Sequence, residues 1–174
     1  MQFMAQLCVL TGGPSSGKTT LLHALRDRGY LVAGESAREL LKEMRCAPSG
    51  FDALLAFQNR IYALQYEKEA EMMFVDSPWP CFLDRSLIDD IAYRRYYFDS
   101  SLKKSVLLEA RYRRIFFLER LEFENDGVRL ESATSSPAAL EHHLWRSYIE
   151  HGYELIRVPA APLPQRVALV LSAL

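Results

Sequence analysis

Residues 12–19 read GGPSSGKT and fit the pattern G-x-x-x-x-G-K-[ST], which constrains the fold more than any other feature. A short apolar run at 7–11 precedes this segment. Leu21, Leu22 and Leu25 follow it at helical spacing. A strand, a glycine-rich loop and a helix in this order form a phosphate-binding loop, so the sequence predicts that the chain holds a nucleotide by its phosphates.

Each part of this loop has a chemical task. Glycines adopt positive φ angles and turn backbone N–H groups toward the phosphates, where the helix adds its positive dipole end. Lys18 is predicted to bridge the β- and γ-phosphates, and the hydroxyl of Thr19 to bind Mg²⁺. The alternative is a solvated Gly/Ser turn. The predicted nucleotide-binding residues of this segment are Gly12, Gly13, Pro14, Ser15, Ser16, Gly17, Lys18, Thr19 and Thr20.

The length and composition are typical of one globular domain, and we expect that domain to span residues 1–174. The chain is 49% hydrophobic and 25% charged. No run reaches the roughly 18 apolar residues of a membrane helix, and the first residues lack the features of a signal peptide. We therefore expect a cytoplasmic protein. Cys8, Cys46 and Cys81 are too dispersed for a zinc site, so we expect reduced thiols, two of them in core strands.

The charge balance limits the class of partner. A formal net charge of −1 disfavours a protein held to DNA or RNA by a broad positive field. Arg111, Arg113 and Arg114 are close in sequence, but Glu109 and Glu119 lie nearby. We expect these arginines at a solvated helix end before a buried strand, and we expect no nucleic-acid partner.

Apolar segments alternate with helical patterns along the chain. Parallel strands need connections long enough to hold a helix, so this alternation predicts a three-layer α/β fold with helices on both faces of a parallel sheet. The predicted strands lie at 7–11, 31–33, 80–84, 115–118 and 154–158. The predicted helices lie at about 17–29, 37–45, 52–72, 88–97, 137–151 and 164–173.

An acidic and a basic residue, Asp84 and Arg85, follow the third predicted strand. In an open parallel sheet the ligand lies outside the carboxyl ends of the strands. Asp84 can hold Mg²⁺ there, directly or through water, and Arg85 can contact the transferred phosphoryl group. The alternative role of Asp84 is to cap the helix that starts near Ser86.

Glu35 follows the second predicted strand, and Arg38 comes one helical turn later. The carboxylate of Glu35 could accept the proton of an attacking hydroxyl, and Arg38 could hold an anionic part of the substrate. The alternative for these two residues is an ordinary ion pair on the surface.

A closing flap is expected after the fourth predicted strand. Arg120 comes first, and Arg129 ends the segment NDGVR at 125–129. Phosphoryl transfer is accelerated by positioning, charge stabilisation and exclusion of water, so arginines on a closing segment are useful. We predict that Arg120 binds the nucleotide and that Arg129 is catalytic. The alternative is a solvated turn.

These motifs together resemble one family. The chain is similar, over nearly its whole length, to the AAA-type P-loop domain family related to the kinase domain of NadR-type ribosylnicotinamide kinases. More distantly it resembles deoxynucleoside and thymidylate kinases. The similarity rests on the phosphate loop, GESARE at 34–39, FQ at 57–58, FLDR at 82–85, NDGVR at 125–129 and VP at 158–159.

The resemblance implies more than the motifs do. The parallel sheet should have five strands in the order 2-3-1-4-5, with a lid at about residues 119–136. Glu35 should act as the base, and Gln58 should read the base moiety of the acceptor. Asp84 and Arg85 should serve the metal and the phosphate. The sensor and arginine-finger regions of ring-forming AAA machines are not apparent in the sequence, so we do not expect a hexameric motor.

The leading hypothesis is a kinase that transfers the γ-phosphoryl group of Mg²⁺·ATP to a nucleoside- or nucleotide-like acceptor. GTP is also possible, and the loop at 159–164 is expected to hold the purine. Either Glu35 or Asp84 could be the base. The alternative is an ATPase or GTPase that acts as a switch with a protein or lipid partner. The predicted catalytic residues are Lys18, Glu35, Asp84, Arg85 and Arg129, and the predicted substrate-binding residues are Glu35, Arg38 and Gln58.

Overall fold

The computed structural model describes residues 5–44, 47–98, 111–121 and 137–174. Its strands are β1 (Leu7–Thr11), β2 (Leu31–Ala33), β3 (Cys81–Asp84), β4 (Tyr112–Leu118) and β5 (Leu155–Val158). They form a parallel sheet in the order β2-β3-β1-β4-β5. The strand order expected from the resemblance is confirmed.

Helices connect these strands. They are α1 (Lys18–Arg26), α2 (Ser36–Glu43), α3 (Phe51–Met73), α4 (Leu87–Phe98), α5 (Pro137–Glu150) and α6 (Leu163–Ser172). Within the described residues, none of them combines the length and the apolar character that crossing a membrane requires.

The two faces of the sheet are covered by different helices. On β1, Cys8 and Leu10 point to one side and pack with residues of α1 and α6. Leu7 and Val9 point to the other side and pack with residues of α3, α4 and α5. Successive strand residues face opposite sides, so one buried strand serves both cores. The predicted three layers are confirmed.

Two of the three cysteines occupy the sheet, as expected. Cys8 on β1 and Cys81 on β3 are buried, free thiols. Cys46 lies outside the described residues.

The start of β4 differs from the prediction. The strand begins at Tyr112, so Arg113 and Arg114 lie on it with exposed side chains, and the expected helix end is wrong. Arg114 Nε donates to the carbonyl oxygen of Ala173 at 3.1 Å, and Arg113 Nη2 donates to that of Leu174 at 2.5 Å. These bonds satisfy carbonyl groups beyond α6, which explains why charged residues are accommodated on the strand.

Candidate active site

The predicted phosphate loop lies at the carboxyl end of β1. Gly12 has a φ of 137° and Gly17 a φ of 76°, values that favour glycine. A Cβ on Gly12 would overlap the carbonyl oxygen of Leu118, so glycine allows the loop to pass close to β4. Gly17 is the N-cap of α1, which places the positive end of that helix at the loop. Pro14, Ser15 and Ser16 complete the turn, and Thr20 lies in the first turn of α1.

Lys18 is buried within this loop. Its Nζ donates to the carbonyl oxygens of Gly12 at 3.0 Å and Gly13 at 2.8 Å, and to Oγ of Ser16 at 3.1 Å. Burial, followed by the neighbouring charge of Arg85, lowers the pKa of Lys18 to about 8. An anionic ligand would stabilise its charged form.

Thr19 and Asp84 meet at the same edge of the sheet. Thr19 Oγ1 donates to Oδ2 of Asp84 at 2.8 Å. The other oxygen, Oδ1, is buried and has no hydrogen-bond partner among the described residues. Burial and the charge of Glu35 raise the pKa of Asp84. Mg²⁺ binds to few protein ligands and retains several waters. The Thr19 hydroxyl and the free oxygen of Asp84 are therefore a suitable pair of ligands for this ion.

The alternative role of Asp84 as a helix cap is not observed. Ser86 caps α4 instead, because its Oγ accepts a hydrogen bond from the backbone N–H of Ile88 at 3.2 Å. Asp84 is therefore directed to the phosphate loop.

Glu35 and Arg85 form an ion pair beside the loop. Arg85 Nε donates to Oε1 of Glu35 at 2.7 Å, and Arg38 Nε lies 3.6 Å from Oε2. Burial alone would raise the pKa of Glu35, but the charges of Arg85 and Lys18 hold it below its ordinary value. The side chain of Arg38 is 50% exposed and faces the solvent side of this pair.

Arg85 is held in place from several directions. Its φ is 73°, a conformation rarely adopted by residues other than glycine. Gln65 Nε2 donates to its carbonyl oxygen at 3.2 Å, and the Tyr93 ring lies 4.7 Å from its guanidinium carbon. Its Nη1 is buried without a partner among the described residues. One donor of Arg85 is thus available for an anion.

Gln58 lies on α3, seven positions before Gln65, and is buried. Within the described part of the chain it makes no side-chain hydrogen bond. Among these residues, no hydrogen bond therefore connects Gln58 to the Glu35–Arg85 pair. Gln65, which sequence reasoning missed, does contact this pair through Arg85, and its Oε1 also accepts a hydrogen bond from the Ser36 hydroxyl at 2.7 Å.

Arg120 lies close to the loop but is paired with another residue. Its Nη2 donates to Oε1 of Glu141 at 2.7 Å, and that oxygen lies 2.5 Å from the place of a Cβ on Gly13. A carboxylate therefore lies beside the phosphate loop. Arg129 and most of the predicted lid, residues 122–136, lie outside the described residues.

Asp89 joins three elements beneath the site and was missed by sequence reasoning. It accepts hydrogen bonds from Thr11 Oγ1 at 2.5 Å, from the Ser86 backbone N–H at 2.9 Å and from the Tyr148 hydroxyl. These partners lie at the end of β1, before α4 and on α5. Ser86 and Asp89 have the spacing of a capping box, a pattern that could have revealed this residue.

Glu69 is a second buried carboxylate that the sequence did not reveal. It accepts hydrogen bonds from the Leu87 backbone N–H at 3.0 Å, Arg111 Nε at 2.7 Å and the Tyr112 hydroxyl at 2.9 Å. It thereby connects α3 with the starts of α4 and β4. This fixes α3, which carries Gln65, against the sheet.

Over residues 7–166 the sequence matches the profile of the family described as AAA domain. A search of the curated proteins gives no match.

Solved structures share the fold. Deoxyadenosine kinase from M. mycoides has a TM-score of 0.60 at 12% identity, with 97% of this chain and 98% of that chain covered. Thymidylate kinase from Ehrlichia chaffeensis has a TM-score of 0.64 at 13% identity, with 98% of each chain covered.

A structure of NadR protein in complex with NAD and AMP-PNP has a TM-score of 0.71 at 20% identity. The match covers 97% of this chain and 49% of that chain, so the present chain spans about half the length of the NadR protein. Identities this low show a shared fold alone. The profile match covers most of the chain, and the chain belongs to the AAA domain family.

Proposed function

We propose that this chain is an ATP-dependent kinase that phosphorylates a hydroxyl group of a nucleoside- or nucleotide-like acceptor. The ion pair between Glu35 and Arg85 carries the proposal. The pair brings a carboxylate and a guanidinium close to Lys18 and to the Thr19–Asp84 pair. A protein that only binds a nucleotide has no need for this second charged group.

The phosphate side is formed by the loop. Backbone N–H groups and the positive end of α1 would bind the phosphate oxygens, and Lys18 would exchange its loop carbonyl partners for them. Thr19 and Asp84 would hold Mg²⁺. When bound, that ion neutralises negative charge on the β- and γ-phosphates. GTP would fit the same phosphate contacts.

The acceptor side is formed by Glu35, Arg38 and Arg85. Because the pKa of Glu35 is lowered, its carboxylate is ionised at neutral pH and can orient an acceptor hydroxyl by accepting its hydrogen bond. Asp84 would hold Mg²⁺ together with Thr19, so we assign the base to Glu35. Arg85 would contact the transferred group through its unpartnered Nη1, and Arg38 an anionic part of the acceptor.

The reaction balances with these groups. A bond forms between the acceptor oxygen and the γ-phosphorus, and the bond from that phosphorus to the β,γ-bridging oxygen breaks. ADP leaves with that oxygen, and the hydroxyl proton passes to Glu35. Little of the charge in such a loose transition state sits on the attacking oxygen, so a weakly basic carboxylate can accept the proton late. Gln58 would contact the acceptor base, and Arg120 and Arg129 would bind from the lid.

The experiment is a measurement of ADP release from Mg²⁺·ATP, first alone and then with nucleosides, nucleoside monophosphates and ribosylnicotinamide. Lys18→Ala is the blank. We expect one acceptor class to raise the rate at least about tenfold, a barrier difference of about 1.4 kcal/mol. A slow rate that no acceptor changes would contradict the proposal and favour a switch that acts with a protein or lipid partner.

A further inference from the structure

We propose that Arg166 is a further nucleotide-binding residue, which contacts the phosphate chain of the triphosphate from α6; this inference rests on the proposed function. Arg166 is the fourth residue of α6 and only 2% exposed. In the sequence it resembles an ordinary surface arginine near the start of a helix. The structure places it against the phosphate loop instead.

The guanidinium group lies directly beside Gly17. Arg166 Nη1 is 2.8 Å from the place that a Cβ on Gly17 would take, and Cδ1 of Leu121 is 3.0 Å from the same point. Any larger residue at 17 would displace one of these groups. Gly17 is the N-cap of α1, so Arg166 is aimed at the helix end that the loop presents to phosphate.

Among the described residues, Arg166 has no hydrogen-bond partner that explains its burial. Both Nε and Nη2 are buried without a hydrogen-bond partner among the described residues. Burial lowers the pKa of Arg166, and the negative charge of Glu119 opposes this shift without outweighing it. Glu119 is itself 3.7 Å from Arg157 and 42% exposed. A buried guanidinium without an acceptor is costly, so a purely structural role is not supported.

The chemistry of the surroundings identifies the missing partner. Arg166, Lys18 and the first turn of α1 converge with positive charge on the same loop. An anionic ligand would add the acceptors that Arg166 lacks among the described residues. Phosphate oxygens accept charge-assisted hydrogen bonds from guanidinium groups, and two free donors of Arg166 suit them.

The test measures binding without an acceptor. We would titrate ATP and inorganic tripolyphosphate, which has no base or ribose, into wild type, Arg166→Met and Arg166→Lys by calorimetry. Arg166→Met should bind both at least about tenfold more weakly, equivalent to about 1.4 kcal/mol, with Arg166→Lys in between. Arg26→Met, on the half-exposed ion pair at the end of α1, is the matched control and should bind like wild type.

Melting curves separate a binding role from a structural one. Because Arg166→Met removes an unpartnered buried charge, its nucleotide-free melting temperature should equal or exceed that of wild type. A lower melting temperature with unchanged ATP affinity would overturn the inference. Weaker binding of ATP with unchanged tripolyphosphate affinity would also overturn it, because the contact would then be with the base or ribose.

The two proposals fail differently. If Lys18→Ala weakens ATP binding and Arg166→Met does not, only the inference on Arg166 fails. If wild type binds no triphosphate, or if Lys18→Ala binds it like wild type, the proposed function fails.

Discussion

The hydroxyl of Thr19 donates a 2.8 Å hydrogen bond to Asp84, although 65 positions separate the two residues in the sequence. β1 and β3 are neighbours, and Leu10 is in register with Asp84, so the residues that follow these strands meet at one edge of the sheet. The relationship brings a hydroxyl and a carboxylate together beside the phosphate loop. It is the place where we expect Mg²⁺ to act.

Replacing the carboxylate of Asp84 should weaken the binding of Mg²⁺ at the site. Asp84→Asn keeps the shape but removes the charge, so the Mg²⁺ concentration for half-maximal ADP release should rise at least about tenfold. Asp27→Asn, at the exposed end of α1, is the control and should not change it. An unchanged Mg²⁺ dependence of Asp84→Asn would rule out Asp84 as a metal residue.

The Glu35–Arg85 pair should affect the acceptor reaction more than ATP binding. Glu35→Gln should lower the acceptor-dependent kcat about a hundredfold or more, with little change in ATP affinity, because it removes the proton acceptor. Arg38→Gln should raise mainly the KM of the acceptor, because the half-exposed Arg38 would bind an anionic part of the acceptor and takes no part in the proton transfer.

A double variant tests whether the pair acts as a unit. Because Glu35 and Arg85 are in direct contact, the loss in Glu35→Gln/Arg85→Met should be smaller than the sum of the single losses. Steady-state kinetics over ATP and acceptor concentrations measure both effects. A Glu35→Gln variant with wild-type kcat would refute its role as base.

Glu69 should matter for stability. Glu69→Ala leaves Arg111 and Tyr112 without their buried partner, which should cost about 3–5 kcal/mol of unfolding free energy. Glu67→Ala, on the exposed face of the same helix, should cost no more than about 0.5 kcal/mol. Urea unfolding followed by circular dichroism compares them, and equal stability of the two variants would contradict the buried network.

The buried thiols should be unreactive in the folded protein. Burial raises the pKa of Cys8 to about 11 and that of Cys81 to about 12, so both remain protonated at pH 8 and become thiolates only at strongly alkaline pH. A thiol reagent at pH 8 should label at most one cysteine in the native chain and all three in guanidinium. The Cys46→Ser variant retains only the two buried thiols. If the reagent labelled this variant in its native state, the prediction would be wrong.

The fold could be predicted because its determinants are local. The phosphate loop, the apolar runs and the helical spacing around Leu21 and Leu25 each reflect neighbouring residues. The strand order came from the resemblance. The start of β4 was missed because Arg113 and Arg114 carry charge, and a pattern does not show that their guanidinium groups reach the carbonyls beyond α6.

The candidate site was predictable where residues follow strand ends. Thr19, Glu35, Asp84 and Arg85 could be assigned to one edge on that basis. The contact between Glu35 and Arg85 could not, because it depends on the positive φ of Arg85 and its support by Gln65.

The buried polar residues were not predictable either. Glu69 and Arg166 occupy helices in which charged residues usually face solvent, and only the packing of distant elements buries them. Gln58 was expected at the acceptor, and its role there remains a prediction.

The most direct test of the kinase proposal follows the γ-phosphoryl group itself. Wild-type protein, Mg²⁺·ATP and a nucleoside or nucleotide acceptor would be monitored by ³¹P NMR, with Lys18→Ala as the blank. We predict that ADP and a new phosphate ester of the acceptor appear together, in equal amounts. Release of inorganic phosphate alone, at a rate that does not depend on the acceptor, would contradict it.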